Sequence, residues 1–376
     1  MNRIWNSCVQ FYRRTDRWLL SFCLLCSALS ALLLWGIYLS GYIKPRVFAV
    51  QLLATAIGVT SAAILSRFDY RELANLWKLY LPVSAGLVFL TYFVGKQRYS
   101  YIDDKAWLEI PVLGLSFQPS EILKLAFIFS FALHLEKVRE SVNQPKTLLQ
   151  LCLHGAVPTL MIMAQGDHGT AMVFAAIYAC MLFSAGLHLG YILAALGAAA
   201  AVSPLVWFFL LDDDKRNRFL IIFNPSLDPS GAGWQQSLGI TAIGSGQIWG
   251  KGIFLGEYQY VPEMHNDFIF AVVGESLGFV GCLVVLLLIG LISLKILSDA
   301  RHARDPLGRY ICVGVFGMIA FQSIWGIGMC LSMLPVVGLT LPFFSAGGTS
   351  VVLTWTGIGM VLGVYRYSYS GLFEEV

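Results

Sequence analysis

Val261-Pro262-Glu263-Met264-His265-Asn266-Asp267-Phe268-Ile269-Phe270-Ala271 joins a long polar segment to a long apolar one. Upstream lies a Gly-rich basic stretch, Gly231 to Gly256, and downstream residues 267–297 form a run long enough to cross a bilayer. Asp267 stands at the seam. A carboxylate at a membrane boundary is costly unless it has a partner or a task. The stretch therefore sets both the fold class, a membrane protein, and the first candidate for chemistry.

Composition extends that reading to the whole chain. It is 57% hydrophobic and 12% charged, with mean hydropathy +0.71, whereas soluble domains carry roughly a quarter charged residues. Apolar stretches of about 20 residues fall at roughly 18–39, 47–66, 79–95, 119–135, 148–164, 169–186, 190–211, 267–297, 309–333 and 346–366. The expectation is an all-α polytopic membrane protein of about ten transmembrane helices, one domain over residues 1–376, with a long structured loop at roughly 212–266 between helices 7 and 8. The first apolar run is too long for a removable signal peptide and lacks a small-residue cleavage site. The Lys and Arg residues divide fifteen to ten between the two sides, which places both termini in the cytoplasm and the long loop outside. A net charge of +3 without a charged tail gives no reason to expect a nucleic-acid partner. Cys23 and Cys26 form a C-x-x-C inside an apolar helix and read as packing residues, and no disulfide framework or metal site follows.

Six constellations could carry chemistry. Around Asn224-Pro225, Asp228-Pro229 and Gly231-Ala232-Gly233-Trp234-Gln235, with Arg218 upstream, tight turns would expose backbone N–H groups able to hold phosphate oxygens; loop punctuation is the plainer reading. Gly250-Lys251-Gly252 leaves room beside a cation for a large anion, or is a flexible hairpin with a solvated Lys; its spacing is not that of a Walker loop. His265 and Asp267 precede an apolar helix, so Asp267 could cap that helix, act at its positive end, or both. Gln118-Pro119-Ser120-Glu121 reads as a helix start, with Glu121 and Lys124 on one face, either a site or a neutralised structural pair. Asp167, in the turn Gln165-Gly166-Asp167-His168-Gly169-Thr170, reads first as a cap. Leu341-Pro342-Phe343-Phe344-Ser345-Ala346-Gly347-Gly348 breaks a hydrophobic segment, which is tolerated at membrane depth only against protein or a cavity. Under the deduced topology all six lie on the outward side.

With these residues together, the chain resembles the SEDS family of bacterial cell-wall polymerases, most closely its RodA branch. The resemblance covers nearly the whole chain, including Phe68-Asp69-Tyr70-Arg71-Glu72-Leu73 and Pro262-Glu263-x-His265-x-Asp267-Phe268-Ile269-Phe270-Ala271. It departs from the family pattern at Ala106, Gly166, His168, Ser276, Gly326, Ser332 and Ala346. It implies a glycosyltransferase of the bacterial inner membrane that polymerises lipid II into glycan strands during elongation and shape maintenance. It also implies a class B penicillin-binding transpeptidase and other elongation-complex proteins as partners.

For such a transfer a diphosphate leaves without needing a proton, so one carboxylate suffices as base, beside cations and hydrogen-bond donors. Asp267 is the expected base. Lys251, Lys124 and Arg218 are expected near the diphosphate, Glu121 orienting Lys124, and His265, Gln235 and Ser345 as further substrate contacts. No organic cofactor is expected; a divalent cation is left open. The rival expectations are a flippase or transporter for lipid-linked precursors, a septal polymerase, and a non-catalytic scaffold.

Overall fold

The computed structural model describes residues 15–96, 105–110, 115–224, 227–228, 231–254 and 256–369. Helices dominate: α1 (Arg17–Leu39), α2 (Pro45–Leu65), the short α3 (Tyr70–Asn75), α4 (Trp77–Val94), α5 (Pro119–Lys137), α6 (Pro145–Met163), α7 (His168–Ser184), α8 (Leu189–Leu205), α9 (Asp213–Leu220), α10 (Ala232–Ser245), α11 (Ile269–Arg301), α12 (Pro306–Cys330) and α13 (Gly348–Ser368). Their starts are written in the sequence. Asp16, Asp167 and Asp305 cap α1, α7 and α12 through side-chain carboxylates. Pro45, Pro119, Pro145 and Pro306 sit where a helix needs no N–H donor.

Among the described residues, eight helices are long and apolar enough to cross a membrane: α1, α2, α4, α6, α8 with its π-helical extension, α11, α12 and α13. The expected spans at 119–135 and 169–186 form α5 and α7 but fall outside that set. Helix α5 carries Glu121, Lys124, Glu136 and Lys137, and α7 has only 17 residues. Helix α5 is a central strut, buried along most of its length. Helix α8 is its opposite, with no residue buried against protein.

Small residues bring α2 and α13 together. A Cβ on Gly58 would lie 2.9 Å from Trp355 Cβ, and one on Gly359 2.6 Å from Ala62 Cα, the close approach that Gly and Ala allow between membrane helices. Ser61 and Thr356 hydroxyls meet at 2.9 Å, and the buried Trp355 donates from Nε1 to Ser27 Oγ at 3.1 Å.

Two features depart from the expectation of plain helices and loops. Strands β1 (Leu108–Ile110) and β2 (Leu115–Phe117) pair antiparallel, Leu108 opposite Phe117, and Lys96 bridges Trp107. Trp107 and Gln118 thereby sit at the same end of a small ladder, next to the Leu108–Phe117 pair. The second is a break in α11 at Gly278, whose φ of 66° and ψ of −163° interrupt the helix. The break leaves the carbonyls of Glu275 and Ser276 and the amides of Phe279 and Val280 without their helical partners.

The 247–252 segment supplies those partners. Lys251 N and Gly252 N donate to the Glu275 and Ser276 carbonyls, both at 2.9 Å; Phe279 N and Val280 N donate to the Gln247 and Ile248 carbonyls at 2.8 and 3.2 Å. Gly250, at φ +80°, has no room for a side chain, since a Cβ there would lie 2.3 Å from the Ser276 carbonyl. The space that the sequence suggested for an anion beside Lys251 is filled by the backbone of α11.

Candidate active site

The site is assembled from three helix starts and two loops. Helix α5 begins at Pro119 with Gln118 as its N-cap residue. One turn in, Lys124 Nζ donates to Glu121 Oε1 at 2.7 Å, with both side chains buried. Beside it, Asp167 closes the turn before α7: Oδ1 accepts from Thr170 N at 2.9 Å and Oδ2 from Gln118 Nε2 at 2.7 Å. Burial pushes the Asp167 carboxyl above the ordinary Asp range, against the lowering effect of the Thr170 bonds. Asp167 is thus a cap, as the sequence suggested, and also faces the site.

Asp267 is 8% exposed. Helix α11 begins at Ile269 with Phe268 at its cap, so Asp267 stands just ahead of the helix and is not its N-cap. The peptide around it is tied down from both sides. Glu263, at φ 57°, turns the chain, and its carbonyl accepts from Asn266 N and Phe268 N at 2.9 and 3.2 Å. From the irregular segment before α13, Ser345 Oγ donates to the Asn266 carbonyl and accepts from Leu341 N, each at 2.7 Å. Ala346 N donates to the His265 carbonyl at 2.8 Å. Cys330 Sγ donates to the Asp267 carbonyl at 3.5 Å.

Two cavities meet at this residue. The first is lined by Asp267, Glu121, Asp167, Gln118, His168, Trp107, Arg218, Gln322 and Thr340, among others. The second, of about 530 Å³, lies under the long loop and is lined by Asp267, Arg218, Asn217, Asp228, Trp234, Gln235, Phe268 and Val336, among others. Asp267, Arg218 and Gly338 line both. A Cβ on Gly338, at φ +73°, would lie 3.8 Å from Asp267 Oδ2, so the backbone there comes close to the carboxylate.

Of the expected base and substrate contacts, Asp267, Glu121, Arg218 and Gln235 line these cavities. Lys124 stands behind Glu121 and is not itself a lining residue. Lys251, His265 and Ser345 are not lining residues either: Lys251 Nζ pairs with Glu275 Oε1 at 2.7 Å, while His265 and Ser345 act through the backbone bonds just given. The turn at Gly231 differs too. Its N–H groups do not stand open for phosphate, because Asp228 Oδ1 and Oδ2 take Gly231 N and Ala232 N at 2.9 and 2.8 Å, which starts α10. Trp107, Gln118 and Gln322 were not singled out as lining residues. Gln322 could have been, because a Gln inside the apolar α12 needs a polar neighbour. Trp107 belongs to a β-ladder that carries no helical signal. Among the described residues no group of three or more His, Cys, Asp or Glu could hold a metal ion.

The fold and the site define a polytopic helical membrane protein in which one buried acid and one arginine look into two adjoining cavities. The family model described as "Cell cycle protein", FtsW/RodA/SpoVE, matches residues 16–370, and the chain belongs to this family. It is 32% identical over 315 residues to the probable peptidoglycan glycosyltransferase FtsW of Geobacter metallireducens, covering 82% of each chain. It is 32% identical over 317 residues to the peptidoglycan glycosyltransferase MrdB of Escherichia coli K12, covering 83% of this chain and 84% of that one. A chain in a solved structure of a peptidoglycan synthase complex, described as coordinating polymerization and crosslinking, matches with a TM-score of 0.81 and 28% identity, over 94% of this chain and 98% of that one.

Proposed function

We propose that this chain is a peptidoglycan glycosyltransferase that polymerises lipid II at the outer face of the bacterial inner membrane, with both termini in the cytoplasm. Its family and its glycosyltransferase relatives support the reaction class. The observation that carries the mechanism is that Asp267 and Arg218 line two cavities at once. A polymerase must hold two sugars at one reacting point, a donor and an acceptor. The second cavity has room for a sugar, the first, of about 60 Å³, for the reacting edge of its partner, and their junction is where the bond forms.

In this reading Asp267 takes the proton of the acceptor's 4-hydroxyl as that oxygen attacks the donor's anomeric carbon. The C–O bond to the polyprenyl diphosphate breaks on the opposite side, so a single displacement inverts the centre. Arg218 meets the negative charge that accumulates on the departing diphosphate. The Glu121–Lys124 pair fixes the floor of the first cavity, and Asp167 holds Gln118 at its rim. Ser345 is a positioning residue: its hydroxyl fixes the carbonyl next to the Asp267 peptide. The lipid tail favours a site at the membrane boundary, since each buried methylene adds about 0.8 kcal/mol to retention in the bilayer. The residue range 1–376 acts as one domain, ten helices crossing the membrane with α5 and α7 among them. The work is elongation, in a complex with a class B penicillin-binding transpeptidase; the similarity to a chain of a synthase complex that couples polymerization to crosslinking supports such a pairing.

The test is polymerisation of labelled lipid II by the purified full-length protein, alone and with its transpeptidase. Glycan formed by the wild type and lost in Asp267→Asn supports the reading. Normal polymer from the variant rejects Asp267 as base. Translocation of lipid II across vesicles without polymer would favour transport instead.

A further inference from the structure

A third cavity lies at the other end of the bundle. It has a volume of about 290 Å³ and is lined by Arg139, Arg301, Arg304, Arg309, Asp305 and Tyr310, with Ala300, Ala303 and Pro306 completing it. Arg301 is the last residue of α11, whose first residues adjoin Asp267. The 23 residues that follow the break at Gly278, at 1.5 Å each, alone span about 35 Å. This cavity is therefore far from the candidate active site.

Four guanidinium groups face a single carboxylate, and that carboxylate is already held. Asp305 Oδ2 accepts from Arg71 Nε at 2.6 Å and from Tyr70 Oη at 2.9 Å, while Oδ1 caps α12 through Gly308 N at 2.8 Å. Arg309 is fixed in place: Nε donates to Ser184 Oγ at 3.0 Å, Nη2 donates to the Ser184 carbonyl, and the group lies 5.9 Å from the Tyr310 ring centre. The side chains of Arg139, Arg301 and Arg304 have no carboxylate or carbonyl partner among the described residues. Glu136 acts on Asp305 at longer range, and Lys137 beside it carries the opposite charge. Arginines at a cytoplasmic membrane face commonly do no more than fix topology. Such residues spread over loops, however, whereas these four, one from the α5–α6 connection and three from around the α11–α12 turn, converge on one hollow.

We propose that this cavity binds a phosphate group, either in the headgroup of an anionic phospholipid or in a free phosphate compound. Guanidinium forks match phosphate oxygens in pairs, and basic hollows between the ends of membrane helices suit phosphate headgroups. Because the cavity lies across the bundle from Asp267, its occupant is distinct from the substrates of polymerisation.

The experiment uses the full-length protein purified in detergent. Retained lipid is measured by native mass spectrometry after equilibration with phosphatidylglycerol or phosphatidylcholine, and again with inorganic phosphate against chloride at equal ionic strength. The wild type is expected to hold phosphatidylglycerol over phosphatidylcholine, or to bind phosphate. Arg301→Ala with Arg304→Ala should weaken that binding roughly thirtyfold, at about one Arg-sized contribution each. Arg67→Ala with Lys78→Ala, removing equal charge from the same face, should change it less than twofold. Phosphatidylglycerol that millimolar phosphate does not displace identifies the headgroup as ligand; displacement identifies free phosphate. Equal weakening in both double variants overturns the proposal, as does equal retention of the two lipids with no response to phosphate. Monodisperse gel filtration of each variant separates loss of binding from loss of fold.

Discussion

Glu275, buried in the broken part of α11, accepts from Lys251 Nζ at 2.7 Å and from Gln259 N at 2.9 Å. One carboxylate thus locks two points of the long loop to the helix that follows Asp267. The Gly-Lys-Gly signature belongs to this lock and stands outside the cavities.

Lys251→Ala should accordingly act on stability before it acts on substrate affinity. Breaking a fully buried pair costs about 3–5 kcal/mol; with the Lys251 side chain 41% exposed, a loss of about 1–2 kcal/mol is expected here. Thermal unfolding in detergent and KM for lipid II check this together. A raised KM with unchanged stability would place Lys251 at the substrate.

Gly250→Ala should be worse. Its positive φ and a Cβ 2.3 Å from the Ser276 carbonyl leave no relaxed conformation, and a loss above about 2 kcal/mol is expected. Yield of monodisperse protein and its unfolding midpoint are the readouts. A variant as stable as the wild type would mean that the loop does not plug the helix.

Asp267→Asn should lower turnover by about 10²–10⁴ if the carboxylate serves as base, with little change in stability. Ser345→Ala should lower kcat by a smaller factor, about tenfold, and leave KM near its original value, because the hydroxyl fixes backbone and does not line the cavities. A raised KM with kcat unchanged in Ser345→Ala would make Ser345 a substrate contact after all.

The burial that raises the Asp167 carboxyl has a definite sign in pH. Its folded pKa lies above an unfolded value of about 3.9, so between the two the folded state binds more protons. Stability drawn from this group is greatest when it is protonated, falls as pH rises from about 4 through the folded pKa, and is level above it. Asp167→Asn should remove that slope. Parallel stability curves for wild type and Asp167→Asn across this window would contradict it.

Hydropathy made the helices legible, and prolines and aspartates marked where several begin. Asp267 and Glu121 stood out because a charged residue beside or within an apolar run demands a reason, Arg218 and Gln235 because they flank a cluster of tight turns; all four line the cavities. The role of Lys251 was not, because its partner, Glu275, lies 24 residues away on a helix whose break depends on Gly278. A glycine in an apolar run gives no sign of a left-handed φ. Nor could the sequence show that Asp228 occupies the amides of its own turn, or that Trp107 and Gln118 meet the site across a hairpin.

The broken helix has a consequence for biogenesis. Ribosomes deliver residues 247–252 before residues 275–280, so the plug is made ahead of the helix it completes. Until residue 280 has emerged, two amides and two carbonyls of that plug lack the helical half of their ladder. A nascent chain halted in that interval carries a polar, unsealed seam.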